Sequence, residues 1–130
     1  MITSGKRKTA VAKATIKEGN GEVIINNKSI ESFPMLQQLE LKEPLIIANK
    51  VLGNNNFNIS IRVTGGGMSS RVEATRLAIA RAIVEFTKSE PVRAAFASYD
   101  RNMLVADIRR KETYKPGDSK ARAKRQTSYR

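Results

Sequence analysis

Residues 57–88 read FNISIRVTGGGMSSRVEATRLAIARAIVEFTK and carry the clearest secondary-structure pattern of the chain. From Phe57 to Val63, hydrophobic residues alternate with polar ones, which is typical of a strand with one buried face. Three glycines then interrupt the strand. Residues 70–88 carry hydrophobic side chains at helical period, and Ser70 and Glu73 have the spacing of a capping box. This segment therefore predicts a strand, a glycine loop and a long helix.

The sequence before this unit predicts shorter elements. Residues 10–17 alternate between two faces, and the turn at residues 19–21 predicts a hairpin to the next strand. Because proline favours the start of a helix, Pro44 predicts a second helix rather than the continuation of the first. The expected elements are strands at 10–17 and 22–26, a reversal at 26–27, a short extended piece around 29–30, and helices at 35–41 and 45–52.

The sequence after residue 88 predicts a short helix and then an unstructured tail. Pro91 opens the helix, which reaches Tyr99, and a short apolar piece follows it. Residues 109–130 contain no aliphatic residue larger than Ala, so alone they are expected to be disordered. We therefore predict an α+β fold with three parts: a basic N-terminal extension (1–8), a globular domain (9–108) and a basic C-terminal tail (109–130).

The net charge of the chain is concentrated near its two ends. The chain has 24 Lys and Arg against 12 Asp and Glu, a formal charge of +12. Residues 1–17 hold five basic residues and no acid, and residues 109–130 hold nine basic residues and two acids. The rest is neutral. Positive segments of this kind favour a polyanion, because each neutralised phosphate releases counterions. Nucleic acid is the expected partner, with an acidic membrane or an acidic protein as alternatives.

Composition excludes several kinds of chemistry. The chain has no Cys and no His, so thiolate metal sites, Cys nucleophiles and the usual neutral-pH general base are absent. No converging carboxylates suggest acid–base catalysis. The longest apolar runs have four residues, too few for a membrane span. We expect a soluble intracellular protein that is not an enzyme and has no metal, cofactor, membrane partner or small-molecule substrate.

The candidate RNA-binding residues of the globule form two groups, each with a plainer interpretation beside it. The N-terminal cluster either contacts phosphates or is a solvated chain end. The glycine loop either binds an RNA backbone, binds a nucleotide or only makes a tight turn. Arg76 lies within the apolar stripe of the long helix, so it either pairs with an acid or points with Arg71 toward the loop. The members are Lys6, Arg7, Lys8, Gly65, Gly66, Gly67, Ser69, Ser70, Arg71 and Arg76.

The tail supplies a third group of candidates. Its cations are interspersed with Ser, Thr, Gln and Tyr, a mixture that suits RNA because cations reach phosphates while rings and guanidinium planes stack on bases. A purely solubilising tail is the alternative. The candidate RNA-binding residues of the tail are Arg109, Arg110, Lys111, Lys120, Arg122, Lys124 and Arg125.

Three blocks of the sequence together resemble one known family. They are SGKRKTAVA at residues 4–12, VTGGGM with ATRLAIARA at 63–82, and the end of the chain from Lys120 to Arg130. In this order they resemble ribosomal protein nine of the small subunit. DIRRKE at 107–112 and the final SYR are similar to the archaeal and eukaryotic branch, and the archaeal one is favoured. Bacterial members end in SKR, so Tyr129 departs from them.

The resemblance implies a fold and a place of action. It implies a mixed four-stranded sheet with helices on one face, similar to the second domain of ribosomal protein five. It implies a cytoplasmic protein in the head of the small ribosomal subunit, bound to ribosomal RNA and to neighbouring ribosomal proteins. It also implies that the tail contacts peptidyl-site tRNA near its anticodon through Ser128, Tyr129 and Arg130.

Two other classes of function compete with this one. A small-molecule kinase related to galactokinase or mevalonate kinase would use the glycine loop followed by serines, but it would need a second domain and no basic arms. A free cationic RNA chaperone would lack a single stoichiometric binding site. Nucleotide binding and stoichiometric association with the subunit discriminate these alternatives.

Overall fold

The computed structural model of the chain describes residues 1–128 and contains a five-stranded mixed sheet and three α-helices. The α+β class is confirmed, but the expected four strands are five. Short 3₁₀ turns at Ile30–Ser32 and Arg101–Met103 complete the regular structure of the described residues. In chain order the elements are β1 (Ile2–Arg7), β2 (Ala10–Glu18), β3 (Val23–Ile25), β4 (Lys28–Ser29), α1 (Met35–Leu52), β5 (Phe57–Thr64), α2 (Met68–Thr87) and α3 (Glu90–Tyr99).

The strand order of the sheet is β1-β2-β5-β3-β4. Strand β5 is antiparallel to β2 and parallel to β3, and it lies between them. The predicted hairpin between β2 and β3 is therefore wrong, because these strands do not pair. Their connection is held from β5 instead: Asn58 Oδ1 accepts hydrogen bonds from the backbone N–H of Asn20 at 2.9 Å and of Glu22 at 3.0 Å. The predicted reversal at Asn26-Asn27 is confirmed between β3 and β4, with both residues at positive φ.

The fifth strand is β1, formed by residues that the sequence assigns to an N-terminal extension. It pairs along its whole length with β2 as an edge strand. Thr3 and Gly5 point toward the helices, and Thr3 Oγ1 donates a hydrogen bond to the Ala78 carbonyl oxygen at 3.1 Å. A Cβ on Gly5 would lie 2.1 Å from the carbonyl oxygen of Ala74, so glycine is what permits α2 to approach this closely.

Helix α1 runs without a break through Pro44, which corrects the expectation of two short helices. Proline removes one intrahelical hydrogen bond. Pro44 is nevertheless buried together with Leu41 and Ala48, at helical spacing on one face. Packing of this face compensates for the lost bond, so the helix ends only at Gly53, which caps it in the left-handed conformation.

The core lies between the sheet and α2, and α1 and α3 pack against α2 in turn. Small side chains form the contact between sheet and helix, with Ala12 and Ala14 on β2 and Ala74 and Ala78 on α2 all fully buried. Larger residues fill the periphery of this contact. No helix within residues 1–128 is long and apolar enough to cross a bilayer.

Candidate nucleic-acid interface

The glycine loop at residues 65–67 is shaped by its own backbone and by its neighbours. Gly65 and Gly66 have φ of 72° and 64°, the left-handed region that favours glycine. A Cβ on Gly65 would lie 2.5 Å from the Thr9 carbonyl oxygen, and one on Gly66 would lie 2.8 Å from the Ala10 Cβ. Both glycines are therefore needed for a tight turn against the β1–β2 connection. Gly67 has open space around it.

Helix α2 begins just after the loop, with its first amides available to a ligand. Gly67 is the N-cap, and no side chain caps the helix, so the predicted capping box at Ser70 is wrong. The helix starts at Met68, and Glu73 bonds to Arg7 instead. Backbone amides in the first turn of a helix have no intrahelical acceptor, and the helix dipole favours an anion there. Ser69 is exposed and Ser70 is half-buried in this turn.

The N-terminal basic cluster divides into three different environments. Lys6 is exposed on the edge strand. Lys8 is exposed in the β1–β2 turn at positive φ, and the Thr9 carbonyl beside it packs on the glycine loop. Arg7 is half-buried and forms ion pairs with Glu73 and Asp107. Lys6 and Lys8 therefore face solvent, whereas Arg7 joins β1 to α2 and to the root of the tail.

The same ion-pair network holds the first residue of the tail. Arg109 makes a bidentate contact with the Asp107 carboxylate, with Nη2 at 2.6 Å and Nε at 2.9 Å from Oδ2. Hydrogen bonds from the Arg109 side chain and backbone hold the pKa of Asp107 well below its usual range, and the Arg7 guanidinium adds its attraction. The same contact raises the pKa of Arg109. Asp107 therefore stays ionised at neutral pH and links both arginines.

The structure thus brings several predicted site residues to one end of the molecule. The contacts of Arg7 and Thr9 place the β1–β2 turn, the glycine loop, the first turns of α2 and the root of the tail side by side. Arg71, exposed on α2, donates from Nε to the Gly65 carbonyl oxygen at 2.9 Å and so belongs to the same region. We call this region the loop end: residues 8–9, 65–71 and 107–109.

Arg76 lies apart from this chemistry in an ion-paired position. Its Nη2 is 2.7 Å from Glu43 Oε2, and its Nη1 is 3.2 Å from Asp100 Oδ2. The pairs connect α2 to α1 and to the end of α3. Of the two interpretations that the sequence left open, pairing with acids accounts for Arg76, and its contact with RNA stays a prediction.

Replacing Arg76 with Gln should therefore lower the stability of the protein. Glu43 and Asp100 would lose their partner while half-buried, so we expect a loss of about 1–2 kcal/mol in the free energy of unfolding, between the values for exposed and buried pairs. The control is Arg93→Gln, which removes an exposed contact of 3.8 Å to Glu90 and should cost less than about 0.5 kcal/mol. Urea unfolding measures both. Equal costs for the two variants would contradict the structural role.

Residues 109–128 form no helix or strand, and nearly all their side chains are exposed. Some cations have local partners: the Arg122 Nε contacts Glu112 at 2.9 Å, and Lys111 lies 4.6 Å from the centre of the Tyr114 ring. Arg110 donates to the carbonyl oxygens of Asp107 and Arg109. Within the described residues, Lys120, Lys124 and Arg125 have no acidic side chain in ion-pair contact. Ser128 is exposed, and Tyr129 and Arg130 lie outside the described residues.

The sequence reasoning missed two sets of basic residues. One is Arg81, which donates from Nε to the Leu104 carbonyl oxygen and from Nη1 to the Ser4 carbonyl oxygen, both at 2.9 Å. No sequence signal indicated this bridge. The other is a group on the strands, Lys13, Lys17 and Arg62, which are exposed on the face opposite the helices. The strand alternation of the sequence indicates that they face outward, but it does not show that Lys13 and Arg62 lie side by side.

Comparison with known proteins gives one consistent relationship. The family model described as ribosomal protein S9/S16 matches residues 5–130. The chain is 48% identical over 131 residues to the small ribosomal subunit protein uS9 of Methanococcus maripaludis strain C7, covering 98% of this chain and 96% of that protein. The uS9 of strain C5 is 47% identical with the same coverage. These archaeal relatives agree with the expected branch. The chain belongs to the ribosomal protein S9/S16 family, whose members are structural, non-enzymatic proteins of the small ribosomal subunit.

Proposed function

We propose that the chain is a structural component of the head of the small ribosomal subunit, that it binds ribosomal RNA through its loop end and basic tail, and that its last residues contact peptidyl-site tRNA. The observation that carries this proposal is the segregation of charge: the +12 of the chain lies entirely in residues 1–17 and 109–130, and the β1–β2 turn of the first segment and the root of the second meet at the loop end. Cations concentrated at one place suit a polyanion.

The geometry of the loop end supports RNA backbone contact more than nucleotide binding. Free amides of α2, the exposed Lys8 and the exposed Arg71 surround an open loop, which gives several donors at the surface. The candidates Lys6, Lys8, Gly65, Gly66, Gly67, Ser69, Ser70 and Arg71 are proposed here as contacts of the globule. The tail cations Arg109, Arg110, Lys111, Lys120, Lys124, Arg125 and Arg122 extend the same electrostatic surface.

The tail end has a separate proposed role. The Arg130 guanidinium is a planar fork that can bind phosphate oxygens bidentately, and Tyr129, its neighbour in the sequence, offers a ring for stacking. Eight other cations precede Arg130 in the tail, so a single deletion should leave attachment to ribosomal RNA intact.

One reconstitution experiment tests both the incorporation into the small subunit and the contact with peptidyl-site tRNA. Small subunits assembled without the protein receive either the full chain or the chain lacking Arg130, and the particles are pelleted through a high-salt cushion. Stoichiometric co-sedimentation of both is expected, which a free RNA chaperone would not give. Peptidyl-site tRNA should then dissociate about 10- to 150-fold faster without Arg130, corresponding to about 1.5–3 kcal/mol for a charged hydrogen bond.

The matched control is Lys120→Gln, which removes one tail cation away from the chain end. It should leave the dissociation rate of tRNA unchanged. Failure of the full chain to co-sediment would refute the ribosomal role. Normal incorporation with wild-type tRNA dissociation after loss of Arg130 would refute the tRNA contact alone.

A further inference from the structure

The face of the sheet opposite the helices carries a group of unneutralised cations. Strand alternation turns Ala12, Ala14 and Ile16 toward the core and the residues between them outward. Lys13, Lys17 and Arg62 are all exposed on this outer face. We call these three residues the strand cations. Lys13 and Lys17 lie on β2 and belong to the basic N-terminal segment, whereas Arg62 lies on β5 in the electrically neutral middle of the chain.

No acid on the strands balances these cations. Glu18 is the one acidic residue within the five strands, and it pairs in register with the buried Phe57, which places it on the helix side. Within residues 1–128, none of the strand cations forms an ion pair, whereas Arg7, Arg76 and Arg109 all do. The outer face therefore has positive charge that the globule leaves uncompensated.

Two of the strand cations stand directly opposite each other. Lys13 on β2 is the register partner of Arg62 on β5. Like charges at directly opposed positions of an antiparallel pair destabilise a sheet, because their Cβ atoms are only about 5 Å apart. Lys17 lies on the same face, about 13 Å along β2 from Lys13 at the usual rise per residue. An arrangement that is unfavourable in the free protein becomes favourable when an anion bridges the two side chains.

Hydroxyl groups lie between the strand cations on this face, beside a few aliphatic side chains. Ser4 is the partner of Lys13 on β1, and Thr15 is the partner of Ser60 on β5. Lys6, two residues from Ser4, is diagonal to Lys13 and adds a fourth exposed cation at the edge. Hydroxyls and cations on one face match the oxygens of a nucleic-acid backbone.

We infer that the outer face of the sheet is a second RNA-binding surface, on which the strand cations contact phosphates of the small-subunit ribosomal RNA. This inference rests on the proposed function, and it extends the contact from the loop end and the tail to a surface on another side of the globule. The contact is to the backbone and independent of base identity, because Lys and Arg reach phosphate oxygens without reading bases.

The test neutralises the three strand cations together, as Lys13→Gln, Lys17→Gln and Arg62→Gln in the full chain. The control removes the same charge elsewhere, as Lys50→Gln, Lys88→Gln and Arg101→Gln, three exposed cations on the helices and their connections. Filter binding to a transcript of small-subunit ribosomal RNA is measured from low to high KCl. Each phosphate contact contributes about 0.7–0.9 to the slope of log K against log salt. We expect a loss of about two units for the first variant and less than about 0.5 for the control.

A second measurement addresses the surface directly. Acylation of lysine amines, followed by mass spectrometry, should show Lys13 and Lys17 protected in the RNA complex while Lys50 and Lys88 stay reactive. Circular dichroism confirms that both triple variants fold. If Lys13 reacts equally fast with and without RNA, the inference is overturned.

The outcomes separate this inference from the proposed function. Wild-type protein that fails to bind the transcript would refute the proposed function and this surface together. Wild-type binding with an unchanged salt slope in the strand-cation variant would refute only the surface. Loss of binding to phosphatidylserine vesicles without loss of RNA binding would assign the face to an acidic membrane and overturn the RNA assignment.

Discussion

Substitution of Gly5 by Ala should destabilise the protein more than the addition of a methyl group at any other residue of β1. The new Cβ would lie 2.1 Å from the Ala74 carbonyl oxygen and 2.8 Å from the Ala78 nitrogen. Both are backbone atoms of α2, so no side-chain rotation relieves the clash, and the helix must move away from the sheet. We expect a loss of about 3 kcal/mol in the free energy of unfolding, near the upper end for overpacking, measured by urea titration.

The neighbouring residue supplies the control. Ser4 lies on the outer face of the same strand and is exposed. Ser4→Ala should change the free energy of unfolding by less than about 0.5 kcal/mol, the usual range for surface substitutions. A loss below about 1 kcal/mol for Gly5→Ala would mean that α2 accommodates a methyl group, and the close approach of helix and strand would then not determine stability.

Removal of residues 109–130 should have the largest effect on RNA binding. The deleted segment carries nine cations and two acids. If most of the cations contact phosphates, at about 0.7–0.9 of slope each, the log–log salt slope should fall by about five units. Affinity for small-subunit ribosomal RNA should fall by about 100- to 1000-fold near 0.2 M salt, where such contacts dominate. Filter binding across a salt series measures both quantities.

The same truncation should leave the globule intact. The described part of the segment contains no helix or strand and nearly all of it is exposed, so its removal takes nothing from the core. We expect the free energy of unfolding to change by less than about 0.5 kcal/mol, since Asp107 keeps its contact with Arg7. An unchanged salt slope in a folded, truncated protein would show that the tail does not bind RNA.

Local patterns predicted most of the fold, and the failures have definite physical causes. The strand from Phe57 and the helix up to residue 88 were correct because their hydrophobic periods are long and regular. Strand β1 was missed because its inward residues are Thr3 and Gly5, which give no apolar alternation. Glycine is required there by the backbone of α2, a tertiary constraint that no local pattern records.

Other predictions of secondary structure were wrong because tertiary packing outweighed the local preference of the sequence. Pro44 has the local properties of a helix start, but burial of its helix face keeps α1 continuous. Pairing of β2 with β5 replaced the expected hairpin because β5, from the middle of the chain, occupies the position beside β2. Sequence proximity favours hairpins, whereas the parallel pairing of β3 with β5 depends on a long connection through α1.

The candidate site was predictable as composition but not as geometry. The basic residues, the glycine loop and the distribution of charge along the chain could all be identified from the sequence alone. The ion pair between Arg7 and Asp107, which lie one hundred residues apart, was not predictable, because many acids were available as partners. Likewise, the acids that neutralise Arg76 come from α1 and the end of α3, which only the packing of three helices brings together.

The bridges made by Arg7 and Arg81 have a consequence for association. They fasten β1 to the stretch from Leu104 to Asp107, so the basic N-terminal strand and the basic tail meet at neighbouring points of the globule. A polyanion captured by either segment is thereby held beside the other at a high effective concentration, of millimolar order for short linkers. Binding of the polyanion to the second segment then becomes an intramolecular step, and the polyanion dissociates only when both segments are unbound at the same time. Bivalent attachment of this kind gives long residence from contacts that are individually weak and screened by salt.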